Sequence, residues 1–383
     1  FNYLIVRLTN QVTSIESMFK GCVGINTAIT RGLFRHSPNL LTIKDAFNGC
    51  KLTGILYSRA SNYIPSNTQT WGLLDFVTKL QDAESAFENT GLQWIDNNFF
   101  APTVVNNITT YSSLNRIDRM FRGCVALKTC TDTTKIPDEN GDLPVGRLES
   151  ETFFTNLRNL LAVYPKEVFS GCKEVQMNIT NDGVNSFLFH STESIPGTII
   201  LDNTLYSGIK LFGDIKVNVF GGISQTLTKG DLTYYLPTIT SIQYPFSSII
   251  GGDVTIKLSE MGQIFRNIGP TLRQAIGVFQ GLTNYAPDSG VIPPDLFKGC
   301  VVLNSIESLF SELNLTNNNQ VYTFPATYID EGVTKGMFDD CTELLITKNL
   351  FHGCTNLKIQ LVGEGFKNCK LEDVSGMFER SAL

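Results

Sequence analysis

Eight of the nine cysteines stand three residues after a phenylalanine, and this recurrence constrains the fold more than any other feature of the 383-residue chain. The copies are Phe19/Cys22, Phe47/Cys50, Phe121/Cys124, Phe169/Cys172, Phe297/Cys300, Phe338/Cys341, Phe351/Cys354 and Phe366/Cys369, and only Cys130 stands outside. Degenerate copies keep the phenylalanine and place another small or apolar residue in the cysteine slot, at Phe34/Ser37, Phe87/Thr90, Phe154/Leu157, Phe279/Leu282, Phe310/Leu313 and Phe378/Ser381. A recurring unit of this size cannot bury its apolar side alone and does so by stacking on the next copy. An elongated core of that kind also accommodates a length too great for one compact core.

Upstream of the phenylalanine an apolar residue recurs at a spacing of four, as in Ile15 to Phe19, Ile306 to Phe310 and Val374 to Phe378, which predicts one or two turns of helix. Downstream, Leu127, Leu303, Leu344 and Leu357 follow the cysteine by three, and the alternation of Leu357, Ile359 and Leu361 predicts a short half-buried strand. Phe297, Phe324, Phe351 and Phe378 are spaced by 27 residues, Phe310, Phe338 and Phe366 by 28, and Phe19 and Phe47 again by 28. The expectation is an α/β repeat solenoid with coils of about 27–28 residues, within the range of leucine-rich repeats, and with Phe297, Phe324, Phe351 and Phe378 in one buried column.

The pattern apolar-x-x-Ile-x-x-(Met/Ala/Leu)-Phe-x-Gly-Cys-x-x-Leu, best kept at Ile15–Cys22, Ile43–Cys50, Ile117–Leu127 and Ile306–Leu315, resembles the BspA-type leucine-rich repeats of bacterial surface antigens, which also occur in proteins of viruses of gut bacteria. The resemblance covers residues 1–175 and 263–383, read as two leucine-rich-repeat-like arrays, and implies display and binding in place of catalysis. Residues 176–262 have no cysteine and alternate apolar with polar residues, as at Ile215–Val219 and Val254–Leu258, so this middle segment reads as a β-rich insertion or as degenerate coils. The loops 57–72 and 130–147 also interrupt the period.

In such a stack the phenylalanines form an apolar spine, the glycine allows a positive φ, and the cysteine acts as a small buried hydrophobe. Because Ser, Thr and Leu share its slot, the reading is of reduced buried thiols in a ladder, with disulfides the alternative. No cysteine pair has the short spacing of a zinc site, since even Cys124 and Cys130 have five residues between them.

No nucleophile elbow, zinc-protease helix, phosphate loop or dinucleotide fingerprint is present, and His36, His190 and His352 have no carboxylate or cysteine at ligand or triad spacing. Asp138, Asn140, Asp142 and Glu149 have part of the spacing of a calcium loop, but Gly141 falls at position four, where that loop needs glycine at six, so a polar turn is the better reading. No cofactor is expected. A net charge of −6 without a basic run argues against nucleic acid, and no apolar stretch is long enough for a membrane span.

Three classes of function remain. The first is a non-enzymatic structural and interaction component of a large assembly, a virion tail, collar or fibre protein. The second is a bacterial cell-surface adhesin that binds host protein or glycan, and the third an enzyme on a repeat scaffold. Neither Phe1–Val6 nor Met377–Leu383 is polar enough to cap a repeat array, so other subunits or domains are expected to cover both ends.

Overall fold

The computed structural model describes residues 3–4, 10–29, 32–55, 72–100, 103–105, 108–110, 113–131, 142–149, 153, 157, 165–179, 198–204, 206–215, 220, 226–229, 232–235, 238–256, 262, 264–280, 292–313, 322–324, 327–355, 357–359 and 365–381. The segment before each phenylalanine is a run of consecutive β-turns and not a turn of helix. Met18, Lys20 and Cys22 donate their N–H groups to the carbonyls of Ile15, Ser17 and Phe19, each reaching back three residues. Ser17 and Gly21 take φ of 55° and 71°, which a right-handed helix of L-residues excludes. The same conformation recurs two residues before the aromatic at Asp45, Ser85, Arg119, Glu167, Tyr244, Ser308 and Asn349, and two residues after it at Gly49, Gly123, Gly171, Gly208, Gly299 and Gly353. The helical half of the expected α/β unit is therefore replaced by turns.

The reason lies in where the remaining N–H groups go. Ile15, Ser17, Phe19 and Gly21 donate to the carbonyls of Thr42, Lys44, Ala46 and Asn48 in the next repeat. Ile43, Asp45, Phe47 and Gly49 donate in turn to Asp82, Glu84, Ala86 and Glu88. Near the other end, Thr347, Asn349, Phe351 and Gly353 donate to Asp373, Ser375, Met377 and Glu379. A left-handed non-glycine residue costs roughly 1–2 kcal/mol. Four ladder bonds at about 1 kcal/mol each outweigh it.

Two parallel ladders flank each turn run. Before it, bridges join Ser14, Thr42, Asp82 and Arg116 in sequence, then strands Thr198–Leu201, Thr238–Gln243 and Gln274–Ile276 pair in parallel, and bridges carry on through Ser305, Ile346 and Asp373. After it, strands Tyr3–Leu4, Ala28–Ile29, Thr53–Ile55, Gly91–Ile95 and Lys128–Thr129 form one parallel sheet. A bridge from Lys128 to Glu174 leads to the sheet of Leu148–Glu149, Val175–Ile179, Ile209–Ile215 and Gly251–Ile256. The described strands Val175–Ile179, Thr198–Leu201, Ile209–Ile215, Thr238–Gln243 and Gly251–Ile256 thus carry the same parallel pairing across both expected boundaries.

The aromatic rings stack between repeats in two columns. Phe19, Phe47, Phe87, Phe121 and Phe169 follow one another at centroid separations of 5.4, 5.5, 6.0 and 5.6 Å. Tyr206 and Phe246 stack at 5.4 Å, and Phe279, Phe310, Phe351 and Phe378 at 5.5, 5.7 and 5.7 Å. The second column runs through Phe220, Phe265, Phe297, Phe338 and Phe366 at 6.1, 5.6, 5.1 and 4.5 Å. Phe297 and Phe351 therefore belong to different columns, and the expected single column of Phe297, Phe324, Phe351 and Phe378 does not form. Phe324 lies instead on strand Tyr322–Phe324, paired in parallel with Leu357–Ile359. The even spacing of 27 joined positions from two tracks.

Antiparallel hairpins account for several of the longer steps. Thr103–Val105 with Ile108–Thr110, Thr226–Lys229 with Leu232–Tyr235, and Thr327–Asp330 with Val333–Gly336 are each inserted between two members of the first column. One continuous hydrophobic cluster runs from Ile15 to Met377, and a small satellite of Trp94, Cys130 and Leu143 lies outside it.

Candidate functional site

In several repeats the cysteine slot donates a hydrogen bond. The thiols of Cys50, Cys124, Cys172 and Cys354 donate to the main-chain carbonyls of Phe19, Phe87, Phe121 and Phe310, the aromatic of the preceding repeat, at 2.8, 3.0, 3.2 and 2.9 Å. Cys369 makes the same contact to Phe338 in the second column at 3.7 Å. In the last turn run the Ser381 hydroxyl donates to Phe351 in the same way. The carbonyls of Phe19, Phe121, Phe310, Phe338 and Phe351 also accept an N–H of their own turn, as Phe19 does from Cys22, and that of Phe87 accepts the Thr90 hydroxyl, so both lone pairs are used. A small side chain carrying S–H or O–H meets this demand at Cys50 and Ser381, whereas the buried Ser37 hydroxyl finds no partner among the described residues and Thr90 donates to the carbonyl of its own Phe87.

All nine cysteines are free. Cys50, Cys124, Cys172, Cys300, Cys341 and Cys354 are buried, Cys369 is half-buried, and Cys22 in the first turn run is exposed, contrary to its expected burial. Burial pushes the Cys300 thiol up to about 12 and those of Cys354 and Cys369 to about 11, and it raises Cys50, Cys124, Cys172 and Cys341 as well. These sulfurs are neutral thiols and poor nucleophiles. Cys130 sits beside Trp94 outside the ladder.

Function, if it resides in side chains, falls to the outer faces. The turn face of the first repeats carries a lattice of charge between repeats. Lys20 meets Asp45 at 3.0 Å, Lys44 meets Glu84 at 2.9 Å, and Arg116 and Arg119 both grip the Glu84 carboxylate. Arg122 bridges Glu88 at 3.8 Å and Glu167 at 3.2 Å. Burial raises the Glu84 carboxyl, but hydrogen bonds from Lys44 and Arg119 outweigh it and hold the group below its ordinary value. At Asp118 burial wins and the carboxyl is raised, although its Oδ1 accepts the Lys166 N–H at 2.7 Å. Lys44, Glu84, Asp118 and Lys166 stand three residues before the phenylalanine and Lys20, Glu88 and Arg122 one after it, while Asp45, Arg119 and Glu167 stand two before it and Arg116 five before it. Reading the sequence down those offsets would have found them.

The outer face of the four-stranded sheet carries a second cluster, drawn from separate segments. Asn178 donates to the Glu149 carboxylate at 2.6 Å and accepts from the Arg147 guanidinium at 3.3 Å. The Asn97 side-chain oxygen accepts the Glu149 N–H at 2.6 Å. Arg147 lies over the Phe212 ring, 3.5 Å from its centroid. An aromatic ring with a planar cation, two amides and a carboxylate on an open sheet face suits a polar ligand or a protein loop. No local motif joins these positions.

Of the calcium alternative, set aside in the sequence for a polar turn, two members are described. Asp138 and Asn140 lie outside the described residues, Asp142 pairs with Lys128 at 3.2 Å, and Glu149 belongs to the cluster above. Among the described residues no three His, Cys, Asp or Glu side chains are placed to hold a metal ion. His36 accepts a hydrogen bond from Arg35 at 2.9 Å, His352 lends its main chain to the turn ladder, and His190 lies outside the described residues. No described helix is long and apolar enough to cross a membrane. Comparison of the chain with protein-family models, curated proteins and solved structures finds no match.

Proposed function

We propose that the chain is a non-enzymatic structural and interaction module, a leucine-rich-repeat-like solenoid of the BspA kind that serves within a large extracellular assembly, a phage virion. The observation that supports this most is the division of labour in each repeat. Phenylalanine, cysteine and ladder positions repeat inside, while the outward residues vary from repeat to repeat among Lys, Glu, Arg, Asn and Ser. Such an arrangement lets a surface be tailored to other subunits without disturbing the stack. The resemblance of the repeats covers virion proteins and bacterial surface antigens alike, and the experiment below separates the two.

The second reading, a cell-surface adhesin, draws support from the Arg147, Glu149, Asn178 and Phe212 cluster, whose chemistry suits host protein or glycan. An antibody raised against the chain, applied to purified phage particles and to host cells from a culture carrying the gene, tests the assignment. Decoration of particles is expected. Decoration of the cell surface alone would transfer the assignment to the adhesin, and turnover of a substrate by the purified chain would remove both.

A further inference from the structure

The left-handed position two residues before a column aromatic holds Ser, Asp, Arg, Glu, Asn or Gly in the other described turn runs, but before Phe246 it holds Tyr244, at φ 51°. A bulky side chain is seldom held in that conformation. Side chains here lean onto the same position of the next repeat. A Cβ on Gly376 would fall 2.2 Å from Asn349 Oδ1, and one on Gly277 would fall 2.2 Å from both Cδ1 and Cε1 of Tyr244. The Tyr244 ring therefore takes the side-chain place of two repeats, and glycine at 277, itself at φ 52°, leaves the room for it. Tyr244 is half-buried. Its ring meets no second ring or cation, and its hydroxyl no hydrogen-bond partner, among the described residues. The stack does not need a ring at this point, since serine serves at Ser17, Ser85 and Ser308. A strained aromatic that the fold does not require points to a ligand.

The turn-face positions around this ring carry amides and hydroxyls in place of the charge lattice of the first repeats. Ser241, Gln243 and Ser247 flank Tyr244 in its own repeat, and Gln274 and Gln280 stand in the next. Gln243 Nε2 donates to the Ser241 hydroxyl at 3.0 Å and to Gln274 Oε1 at 3.2 Å, and the Ser241 hydroxyl donates to the same Oε1 at 3.1 Å. Gln280 Oε1 lies 3.2 Å from the place of a Cβ on Gly277 and is buried without a hydrogen-bond partner, a deficit that a ligand donor would remove. One turn run further on charge returns, with Glu307 paired to Lys348 at 3.7 Å. We propose that this patch binds an uncharged sugar residue of a glycan chain, with the Tyr244 ring as its stacking surface. The C–H hydrogens of a sugar ring suit the negative face of an aromatic. Each sugar hydroxyl both donates and accepts, as do the amides and hydroxyls around Tyr244. An ionic ligand would give up its hydration and find no countercharge here. Tyrosine also offers a large contact area with few torsions to fix on binding.

The inference does not rest on the virion assignment, because a glycan contact serves a virion part and a surface protein alike; a chain that decorates virions and binds no glycan would overturn this inference alone. The test is a printed array of neutral hexamers of glucose, mannose, galactose and N-acetylglucosamine, beside sialylated and sulfated chains and a polyproline peptide, probed with the purified chain. Binding to at least one neutral hexamer is expected. Titration calorimetry with that hexamer should show affinity about tenfold weaker for Tyr244→Ser, as loss of one ring contact implies. Serine is the residue of three other repeats at this position, so the variant should keep the stack. Tyr244→Phe, which keeps the ring, should bind nearly as the parent does, and Gly277→Ala, which displaces the ring, should weaken binding as Tyr244→Ser does. Binding confined to the charged chains or to the polyproline peptide, no binding to any neutral hexamer, or an unchanged affinity for Tyr244→Ser with an unchanged circular-dichroism spectrum would overturn the proposal.

Discussion

Replacing Phe351 by alanine probes the column where it is best formed. The ring is fully buried and stacked on Phe310 and Phe378, both at 5.7 Å and within 6° of parallel. Removing a buried phenylalanine from a core that relaxes only in part costs about 3–5 kcal/mol. Roughly 0.5–1.5 kcal/mol for each lost ring contact falls within that figure. The informative comparison is Phe19→Ala, at a ring that is only half-buried and has the single column neighbour Phe47 at 5.4 Å. With less area removed from water and one ring contact in place of two, that change should cost about 1–2 kcal/mol. Stacked repeats need not unfold in one step, so hydrogen exchange resolved by segment is the proper measurement beside urea denaturation. Phe351→Ala should lower protection in the runs around Phe310 and Phe378 together, and Phe19→Ala only around Phe47. Equal costs at the two positions, or a loss of protection at Phe297 larger than at Phe310, would refute the two-column account.

Four further outcomes follow from the ladder. Cys354→Ala should cost about 1–2 kcal/mol by leaving the Phe310 carbonyl short of a donor, and Cys354→Ser less than about 1 kcal/mol, read from denaturation midpoints; a serine variant weaker than alanine would contradict the donor role. Gly208→Ala should destabilise far more than Gly299→Ala, since its added Cβ would fall 1.9 Å from the Phe169 carbonyl oxygen while that of Gly299 meets nothing within 4 Å, and both share the cost of a positive φ. Stability should fall as pH rises: the thiols of Cys354 and Cys369 ionise near 9 when unfolded but only at about 11 when folded, so their contribution is complete below 9 and is lost between these values. Melting temperatures that stay flat from pH 8.5 to 11 would contradict that, and in the native state at pH 8 only Cys22 should react rapidly with a thiol reagent.

The Phe-x-Gly-Cys recurrence was enough to predict stacking, buried aromatics and reduced thiols, because an inward side chain is under the same demand in every repeat. Helical turns were read from the spacing of Ile15 and Phe19, yet that spacing is equally produced by two consecutive β-turns when a residue such as Ser17 adopts a left-handed conformation. Apolar periodicity cannot distinguish them, since the difference lies in where main-chain N–H groups find acceptors. The column assignment failed because the Thr327–Gly336 hairpin region lengthens one repeat and brings Phe324 to a spacing that imitates the period. Tyr206 escaped notice as a column member because both marks were missing, a tyrosine standing in place of the phenylalanine and Ile209 in place of the cysteine. The Arg147, Asn178 and Phe212 cluster was illegible for a different reason: it exists only once strands far apart in sequence are laid side by side.

Since every turn-ladder bond points from one repeat to the next, a pulling force applied along the stack would load these bonds in line, one interface at a time. The chain should then yield as a series of discrete releases, and the lengths are written in the sequence. The step from Phe19 to Phe47 holds 28 residues and that from Phe121 to Phe169 holds 48, so extension per release should range from about 100 to about 170 Å at roughly 3.5 Å per residue. Such a body would dissipate mechanical work repeatedly without losing its whole structure at the first rupture, a property suited to a part placed under tension between two larger ones.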